Sequence, residues 1–268
     1  MWRRIFQEIS DAVDRFWQLP LRFLQGLGEM VLLLGRASMW AVRPPYRFSL
    51  VLQAMEFIGV GSLSIILLVS VFVGGVFGLQ SVEAFRMFSA DGYVGTAVAL
   101  TLTREIAPVI TALMVAGRAG SAIATEIGSM RITEQIDALA TLAVNPVQYL
   151  VVPRLIASTI MMPVLTMVFN VAGMFGAYAF AIWIKNVDPG IFVHNIKWFT
   201  DVDDVAMGLI KAVVFGLTVA LVGCHQGYNA KGGAKGVGLA TMRTVVISSV
   251  AVLVLDFIVT DVLITLGF

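Results

Sequence analysis

The stretch FIGVGSLSIILLVSVFVGGVFGL, residues 57–79, is 23 residues long and contains no charged side chain. About 20 consecutive apolar residues are enough for a helix to cross the hydrocarbon core of a bilayer. The whole chain of 268 residues agrees, because it is 59% hydrophobic and only 13% charged, whereas soluble domains are about 25% charged. The sequence therefore predicts a polytopic membrane protein and excludes an ordinary soluble domain or a disordered chain.

Four further stretches have the length and composition of membrane spans. Together with the first, they place five spans at about residues 50–80, 93–117, 151–184, 205–225 and 244–267, with a polar connection at 118–150. In residues 1–49, apolar residues recur every three or four positions from Trp2 to Trp17, with charged residues between them. This pattern predicts a helix in the membrane interface rather than a signal peptide. The predicted fold class is an all-α membrane protein with an N-terminal interfacial amphipathic helix and five transmembrane helices.

The connections between the predicted spans fall into two sets with different numbers of Lys and Arg residues. The set that includes the N-terminus carries thirteen: Arg3, Arg4, Arg15, Arg22, Arg36, Arg43, Arg47, Arg118, Arg131, Arg154, Lys231, Lys235 and Arg243. The other set carries only Arg86, Lys185 and Lys197. Because Lys and Arg are enriched in cytoplasmic connections, the sequence predicts that the N-terminus lies in the cytoplasm.

Arg104 and Glu105 are adjacent charges near the middle of the second predicted span. Each charge at a helix centre costs about 2.5–3.5 kcal/mol on insertion scales, so both should face a protein interior or a watery cavity. Neighbouring side chains point about 100° apart on a helix and cannot fully satisfy one another. Two interpretations stay open. The pair is either a polar patch for a substrate headgroup or a brace between helices, with partners drawn from Glu56, Lys211, Asp256 and Asp261.

Two weaker patterns lie towards the outer ends of spans. Asp204 and Lys211 are seven residues apart on one face of the fourth predicted span, and we expect them to pair. Gly74, Gly75 and Gly78 in the first span indicate either a contact between helices of a dimer or an apolar pocket beside aromatic residues. Neither pattern decides a function alone.

The connection after the second span reads GRAGSAIATEIGSMRITEQIDALATLAVNP from Gly117. A small residue stands at every fourth position from Ala112 to Gly128, which favours close approach of another helix. A narrow apolar face follows, and Asn145-Pro146 is expected to end the helix. The acidic residues Glu126, Glu134 and Asp137 disfavour an anionic lipid surface. The sequence therefore predicts that this connection docks onto a soluble partner.

No catalytic or metal-binding pattern is present in the sequence. His194 and His225 are isolated, and Cys224 is the single cysteine. The glycine-rich residues 227–233 lack the spacing of a phosphate-binding loop. A net charge of +1 gives no signature of nucleic-acid binding. We therefore expect a non-enzymatic chain that binds no metal or cofactor and no nucleic acid.

Several motifs resemble those of the MlaE/YrbE permease family of bacterial ABC lipid transporters. They are GRAGSAIATEIGSMRITEQIDAL at 117–139, LTREIAP at 102–108, LIKAVVF at 209–215 and LDF at 255–257. The resemblance covers roughly residues 45–268, which would form the permease domain from about residue 50. It implies a homodimer in the bacterial inner membrane, an MlaF-like ATPase subunit that binds ATP and Mg²⁺, and an MlaD-like MCE-domain protein that exchanges lipid with it.

The resemblance also implies roles for particular residues. A lipid cavity between two copies would be lined by Phe77, Ala84, Phe85 and Phe88, with Arg104 and Glu105 near the headgroup. Coupling to the ATPase would use Glu126, Met130, Arg131, Glu134, Gln135 and Asp137. Asp204, Lys211 and Asp256 would be intramembrane or interfacial charges.

The expected function is thus the permease subunit of an ATP-driven transporter of glycerophospholipids between the inner and outer membranes. Three alternatives stay open. The three phenylalanines and the glycine-rich stretch at 231–236 are also similar to relatives that import steroids or fatty acids. Glu105, Asp256 and Asp261 could relay protons in an ion-coupled carrier. The chain could also be a non-transporting membrane anchor.

Overall fold

A computed structural model describes residues 24–267 of the chain. Five long apolar helices are present: span 1, Phe48–Arg86; span 2, Asp91–Ile132; span 3, Val147–Trp183; span 4, Val202–Tyr228; and span 5, Gly233–Thr265. An N-terminal helix covers residues 24–41, and no strand occurs in the described residues. The prediction of an all-α membrane protein with five spans is confirmed. The amphipathic pattern from Trp2 to Trp17 lies outside the described residues.

Two short helices connect the spans. Gln135–Thr141, the elbow helix, follows span 2, and Pro189–Phe199, the outer helix, follows span 3. The elbow helix ends well before Asn145, so the expectation that Asn145-Pro146 ends the preceding helix was wrong. The Asn145 side chain instead accepts a hydrogen bond from the backbone N–H of Val147 at 2.9 Å and caps the first turn of span 3.

Span 2 is the longest described helix and continues past the predicted boundary at residue 117 to Ile132. Its 42 residues correspond to about 63 Å at 1.5 Å per residue, roughly twice the thickness of a bilayer core. The helix can continue because nothing between Ser121 and Ile132 breaks it, and Thr133 and Glu134 then form the turn into the elbow helix. Span 2 therefore joins the middle of the bundle to the elbow in one element.

The two ends of the bundle differ in charge. At one end, here called the basic end, lie Arg36, Arg43, Arg47, Arg118, Arg131, Arg154, Lys231, Lys235 and Arg243. The opposite, acidic end carries Glu83, Asp91, Asp188, Asp201, Asp203 and Asp204 beside Arg86, Lys185 and Lys197. Because successive spans run in opposite directions, the start of span 1, the elbow helix and the start of span 3 all belong to the basic end.

Glycines allow spans 1 and 3 to cross in close contact. A Cβ built on Gly74 would overlap the carbonyl oxygen of Gly173, and one on Gly176 would overlap that of Val71. Gly78 likewise faces the backbone of Ala177. The glycines of span 1 that resembled a dimer signal are therefore used inside the chain, where they let two backbones approach.

The row of small residues in span 2 packs against spans 4 and 5. Ala112 and Ala124 are fully buried. A Cβ on Gly120 would lie 3.0 Å from the side chain of Val219 in span 4, and one on Gly128 would lie 3.5 Å from Val237 in span 5. The predicted close approach of another helix to this row is confirmed, and it fixes span 2 at the centre of the bundle.

Candidate functional site

Arg104 in span 2 forms an ion pair with Asp204 in the first turn of span 4. Its Nε donates to Oδ1 of Asp204 at 2.5 Å, and a second guanidinium nitrogen also contacts that oxygen. Asp204 is only 3% exposed, whereas Arg104 is 38% exposed. The other carboxylate oxygen of Asp204 accepts from the backbone N–H of Asp201 at 2.8 Å in a capping box. The start of span 4 therefore holds Asp204 in place for the arginine.

Lys211 joins three spans through two carboxylates. The side chain is fully buried, and its Nζ lies 2.5 Å from Oε2 of Glu105 in span 2. Oδ1 of Asp256 in span 5 lies 3.1 Å from the same Nζ, within ion-pair range but without the alignment of a hydrogen bond. Glu105 is 39% exposed and Asp256 is 21% exposed. One buried cation thus braces spans 2, 4 and 5 against each other.

These contacts settle how the adjacent charges are paired. Arg104 and Glu105 do contact different partners, as their directions on the helix require. Lys211 and Asp256 were among the predicted partners of these charges. Asp204, which Arg104 contacts, was not among them. The expected pair of Asp204 with Lys211 was wrong, because seven residues separate them by about 10.5 Å along the helix axis and each turns towards span 2 instead.

A π-helical turn, Leu102–Ile106, places Arg104 and Glu105 in span 2. Pro108 follows within the next helical segment and has no N–H to donate to the carbonyl of Arg104. The wider turn accommodates this missing bond and changes the direction of the two charged side chains relative to a regular helix. Such turns occur often at functional sites.

The four cavity candidates of span 1 divide into two environments. Phe77 and Phe85 are half-buried and pack against an apolar cluster at the acidic end that includes Val82. Ala84 and Phe88 are exposed. A single copy of the chain therefore does not enclose these four side chains, and a chamber built from them needs a second surface.

The segment expected to dock a partner forms a sharp elbow at the basic end. Glu134 joins span 2 to the elbow helix with a φ of 59°, in the left-handed region. Ile136 is buried and anchors the elbow helix, whereas Glu134, Gln135 and Asp137 are exposed. The segment is thus two helices with a turn between them, not one continuous helix from 126 to 145.

Ion pairs fix both sides of this elbow. Arg131 donates to Asp137 at 2.8 Å across the turn. Deeper in span 2, Glu126 forms an ion pair with Arg154 in span 3 at 2.8 Å. Met130 is half-buried one turn after Glu126. The structure therefore places all six expected coupling residues within one short region at the basic end.

The contacts of His225 could not be predicted from the sequence. It is buried near the end of span 4, and its Nε2 lies 3.1 Å from Oε2 of Glu29 in the N-terminal helix. Asn229, one turn later, lies 3.0 Å from the same nitrogen. The two partners of this contact are 196 residues apart in the chain, so no local pattern could have paired them.

Comparison with known proteins gives a consistent set of similarities. The family model described as Permease MlaE matches residues 51–262. A probable ABC transporter permease protein of Rickettsia typhi is 40% identical over 243 residues, which are 91% of this chain and 94% of that protein. The intermembrane phospholipid transport system permease protein MlaE of Haemophilus influenzae is 39% identical over 262 residues, which are 92% of this chain and 99% of that protein. The chloroplastic protein TRIGALACTOSYLDIACYLGLYCEROL 1 of Arabidopsis thaliana is 37% identical over 210 residues, covering 78% of this chain and 60% of that protein.

Proposed function

The chain belongs to the MlaE permease family and is a multi-pass ABC transporter permease of lipids, and from this premise we propose that it moves glycerophospholipids between the inner and outer membranes of a bacterium. The observation that carries the choice of substrate is its similarity, at 39% identity over nearly the whole length, to a permease named for intermembrane phospholipid transport. In this proposal a separate ABC ATPase subunit binds ATP and Mg²⁺ and hydrolyses the ATP.

The proposed transport chamber lies between two copies of this chain. A stripe of exposed apolar residues runs along span 1 at Leu68, Phe72 and Val76, spaced by four so that they share one face. Together with Phe77, Ala84, Phe85 and Phe88 it offers an apolar wall that a second copy can close. Burial of apolar surface on both the lipid and the protein would then stabilise the bound state.

Arg104 and Glu105 are the groups proposed to meet the lipid headgroup. Ion pairs with Asp204 and Lys211 hold these two side chains in position. Arg104 is 38% exposed and Glu105 is 39% exposed, so both can reach a ligand. The guanidinium of Arg104 can donate to a phosphate while it remains beside Asp204, because arginine carries five N–H donors. Glu105 keeps Lys211 neutralised and leaves one carboxylate oxygen free to accept from a headgroup.

The basic end is proposed to face the cytoplasm, with the N-terminus on that side. The exposed carboxylates of the elbow then point at the ATPase subunit, and the acidic end faces an MCE-domain partner.

When the ATPase binds ATP, a push on the elbow moves span 2. Arg118 transmits this motion to span 1, because it donates to the carbonyl of Phe57 at 2.9 Å and to Ser62 at 3.1 Å. Coupling of this kind requires two conformations with different affinity for lipid.

Reversing the charge of the elbow tests this function. Glu134→Lys is expected to reduce co-purification of the ATPase subunit and lipid-stimulated ATP hydrolysis by about tenfold, the loss that one interfacial charge contact can cause. Asp203→Lys, an exposed charge reversal at the acidic end, is the matched control and should keep both. Full ATPase binding and stimulation by the Glu134 variant would show that the elbow is not the docking element.

Two experiments separate this proposal from its alternatives. Mass spectrometry of lipids extracted from the purified complex should find glycerophospholipids; a steroid or free fatty acid would instead favour the importers of those compounds. Transport by reconstituted protein should require the ATPase subunit. Transport that follows a pH gradient without it would favour an ion-coupled carrier built on Glu105, Asp256 and Asp261.

A further inference from the structure

A cavity lies at the basic end, far from the ion-pair cluster of Arg104. Its volume is about 430 Å³, and it is formed by the start of span 1, the last part of span 2 and the start of span 3. Ile123 and Glu126 line it, and they lie about 28–33 Å along span 2 from Arg104. A volume of this size suits a small polar group rather than a whole phospholipid.

One face of span 1 forms the membrane side of this cavity. Leu50, Gln53, Ala54 and Phe57 line it, and their spacing of three and four places them on one side of the helix. Next to them, Phe48, Leu52 and Val60 are strongly exposed. These exposed apolar side chains belong in lipid hydrocarbon, so the cavity lies beside the acyl chains of the surrounding leaflet.

The polar wall of the cavity already contains one neutral ion pair. Arg154 and Glu126 both line it, and they contact each other at 2.8 Å. Glu56, a carboxylate on this part of span 1, does not line it. The charge of the site is therefore set by the arginines that flank it.

Two arginines flank the cavity on aromatic rings that line it. The guanidinium carbon of Arg47 lies 4.6 Å from the ring centroid of Tyr149, and that of Arg118 lies 5.3 Å from the ring centroid of Phe57. Within residues 24–267, no carboxylate comes within 4.0 Å of either guanidinium. A guanidinium stacked on a ring keeps its edge N–H groups available for bidentate contact with a phosphate.

We propose that this cavity binds the headgroup of an anionic phospholipid from the leaflet at the basic end. The phosphate contacts Arg47 beside Tyr149, at the exposed mouth of the cavity. Arg118, stacked on Phe57 outside the lining, adds positive charge to the site rather than a contact within it. The acyl chains remain outside, on the apolar side of span 1. Basic pockets between membrane helices bind anionic headgroups in this way.

Two residues of the coupling region, Glu126 and Met130, line the same cavity. An occupied cavity therefore contacts the end of span 2 close to the elbow. Any effect of this contact on ATP hydrolysis rests on the function proposed above. Binding of the lipid to the cavity does not.

Competition between two lipids with identical acyl chains tests the site. The purified full-length chain in detergent is offered equal amounts of phosphatidylglycerol and phosphatidylcholine, and native mass spectrometry counts the lipids retained. Both lipids carry a phosphate, but the choline cation cancels its charge in phosphatidylcholine, so wild type is expected to prefer phosphatidylglycerol about fivefold for each flanking arginine. Arg47→Gln should lower that preference about fivefold, and Ala54→Trp, which fills the cavity without changing charge, should abolish it. Arg243→Gln, an exposed arginine of the same end outside the cavity, should behave as wild type.

Four results would overturn the assignment. These are an unchanged preference in Arg47→Gln, an equal loss in Arg243→Gln, displacement of the lipid by the ATPase subunit, and binding of free glycerol phosphate as tightly as the lipid. The last would identify a site for a soluble phosphate. The retained phosphatidylcholine separates this site from the transport chamber, because Arg47→Gln should lower only the phosphatidylglycerol count whether or not the proposed transport function is correct.

Discussion

Replacing Lys211 with methionine is expected to destabilise the bundle by about 3 kcal/mol, because two carboxylates lose their shared cation. Breaking a buried ion pair costs about 3–5 kcal/mol, mostly as the penalty of the charge left behind. The lower value applies here because Glu105 and Asp256 are 39% and 21% exposed, so water reaches both once the lysine has gone. Methionine has a similar volume to lysine and leaves no cavity.

Thermal unfolding in detergent, followed by the fraction that remains monodisperse after heating, measures this effect. A loss of about 3 kcal/mol should lower the Tm by roughly 6–9 °C for a chain of this size. Neutralising the two carboxylates as well, with Glu105→Gln and Asp256→Asn, should restore most of the loss. Ile210→Met, one residue earlier, changes side-chain shape without charge and should leave the Tm unchanged. A drop of under about 2 °C, or a triple variant no more stable than the single one, would refute the bracing role.

Three other properties can be checked on the purified chain. Gly74→Ala places a Cβ against the carbonyl of Gly173 and should abolish a monodisperse peak in size-exclusion chromatography. Gly117→Ala, where a Cβ meets no atom within 4 Å, should elute normally; identical profiles would contradict the close crossing of spans 1 and 3. Glu134→Asn should raise stability by about 1 kcal/mol, because asparagine adopts the left-handed conformation more readily, and a lowered Tm would argue against that backbone. Cys224 is fully buried and should react with maleimide only after denaturation, whereas fast labelling of the native chain would place it at the surface.

The spans could be predicted because a bilayer imposes one simple requirement on the sequence. An apolar stretch of about 20 residues can satisfy its backbone in hydrocarbon only as a helix. The row of small residues from Ala112 to Gly128 could also be recognised in the sequence. A four-residue period puts these residues on one face of a helix, whether or not the end of that helix is known. These properties are local, and no knowledge of the other helices is needed to infer them.

The pairing of charges could not be predicted, because it depends on how helices distant in sequence are rotated. Arg104 and Asp204 are 100 residues apart, and their meeting follows from the crossing of spans 2 and 4. The glycines near Gly74 show the same difficulty, since a small-residue motif fits a neighbour in the same chain as well as one in a second copy. The elbow was missed for another reason. Glu134 adopts a left-handed conformation, which glycine or asparagine would have signalled and glutamate does not.

Span 2 connects the two candidate sites mechanically, since it is fixed to different partners at different levels. Near the basic end, Arg118 ties it to span 1 and Glu126 ties it to span 3. Nearer the acidic end, Arg104 and Glu105 tie it to span 4 and, through Lys211, to span 5. Arg118 itself lies in a π-helical turn, Ala116–Gly120. Between this turn and the elbow, Gly128 packs against Val237 of span 5, and Gly227 of span 4 packs against Ala124 and Ile127. A displacement of the elbow therefore reaches spans 1 and 3 through ion pairs and hydrogen bonds, and spans 4 and 5 through close helix packing. Helices held by packing of small residues can slide, so a chamber lined by both groups of spans can change shape without any break in the ion pairs.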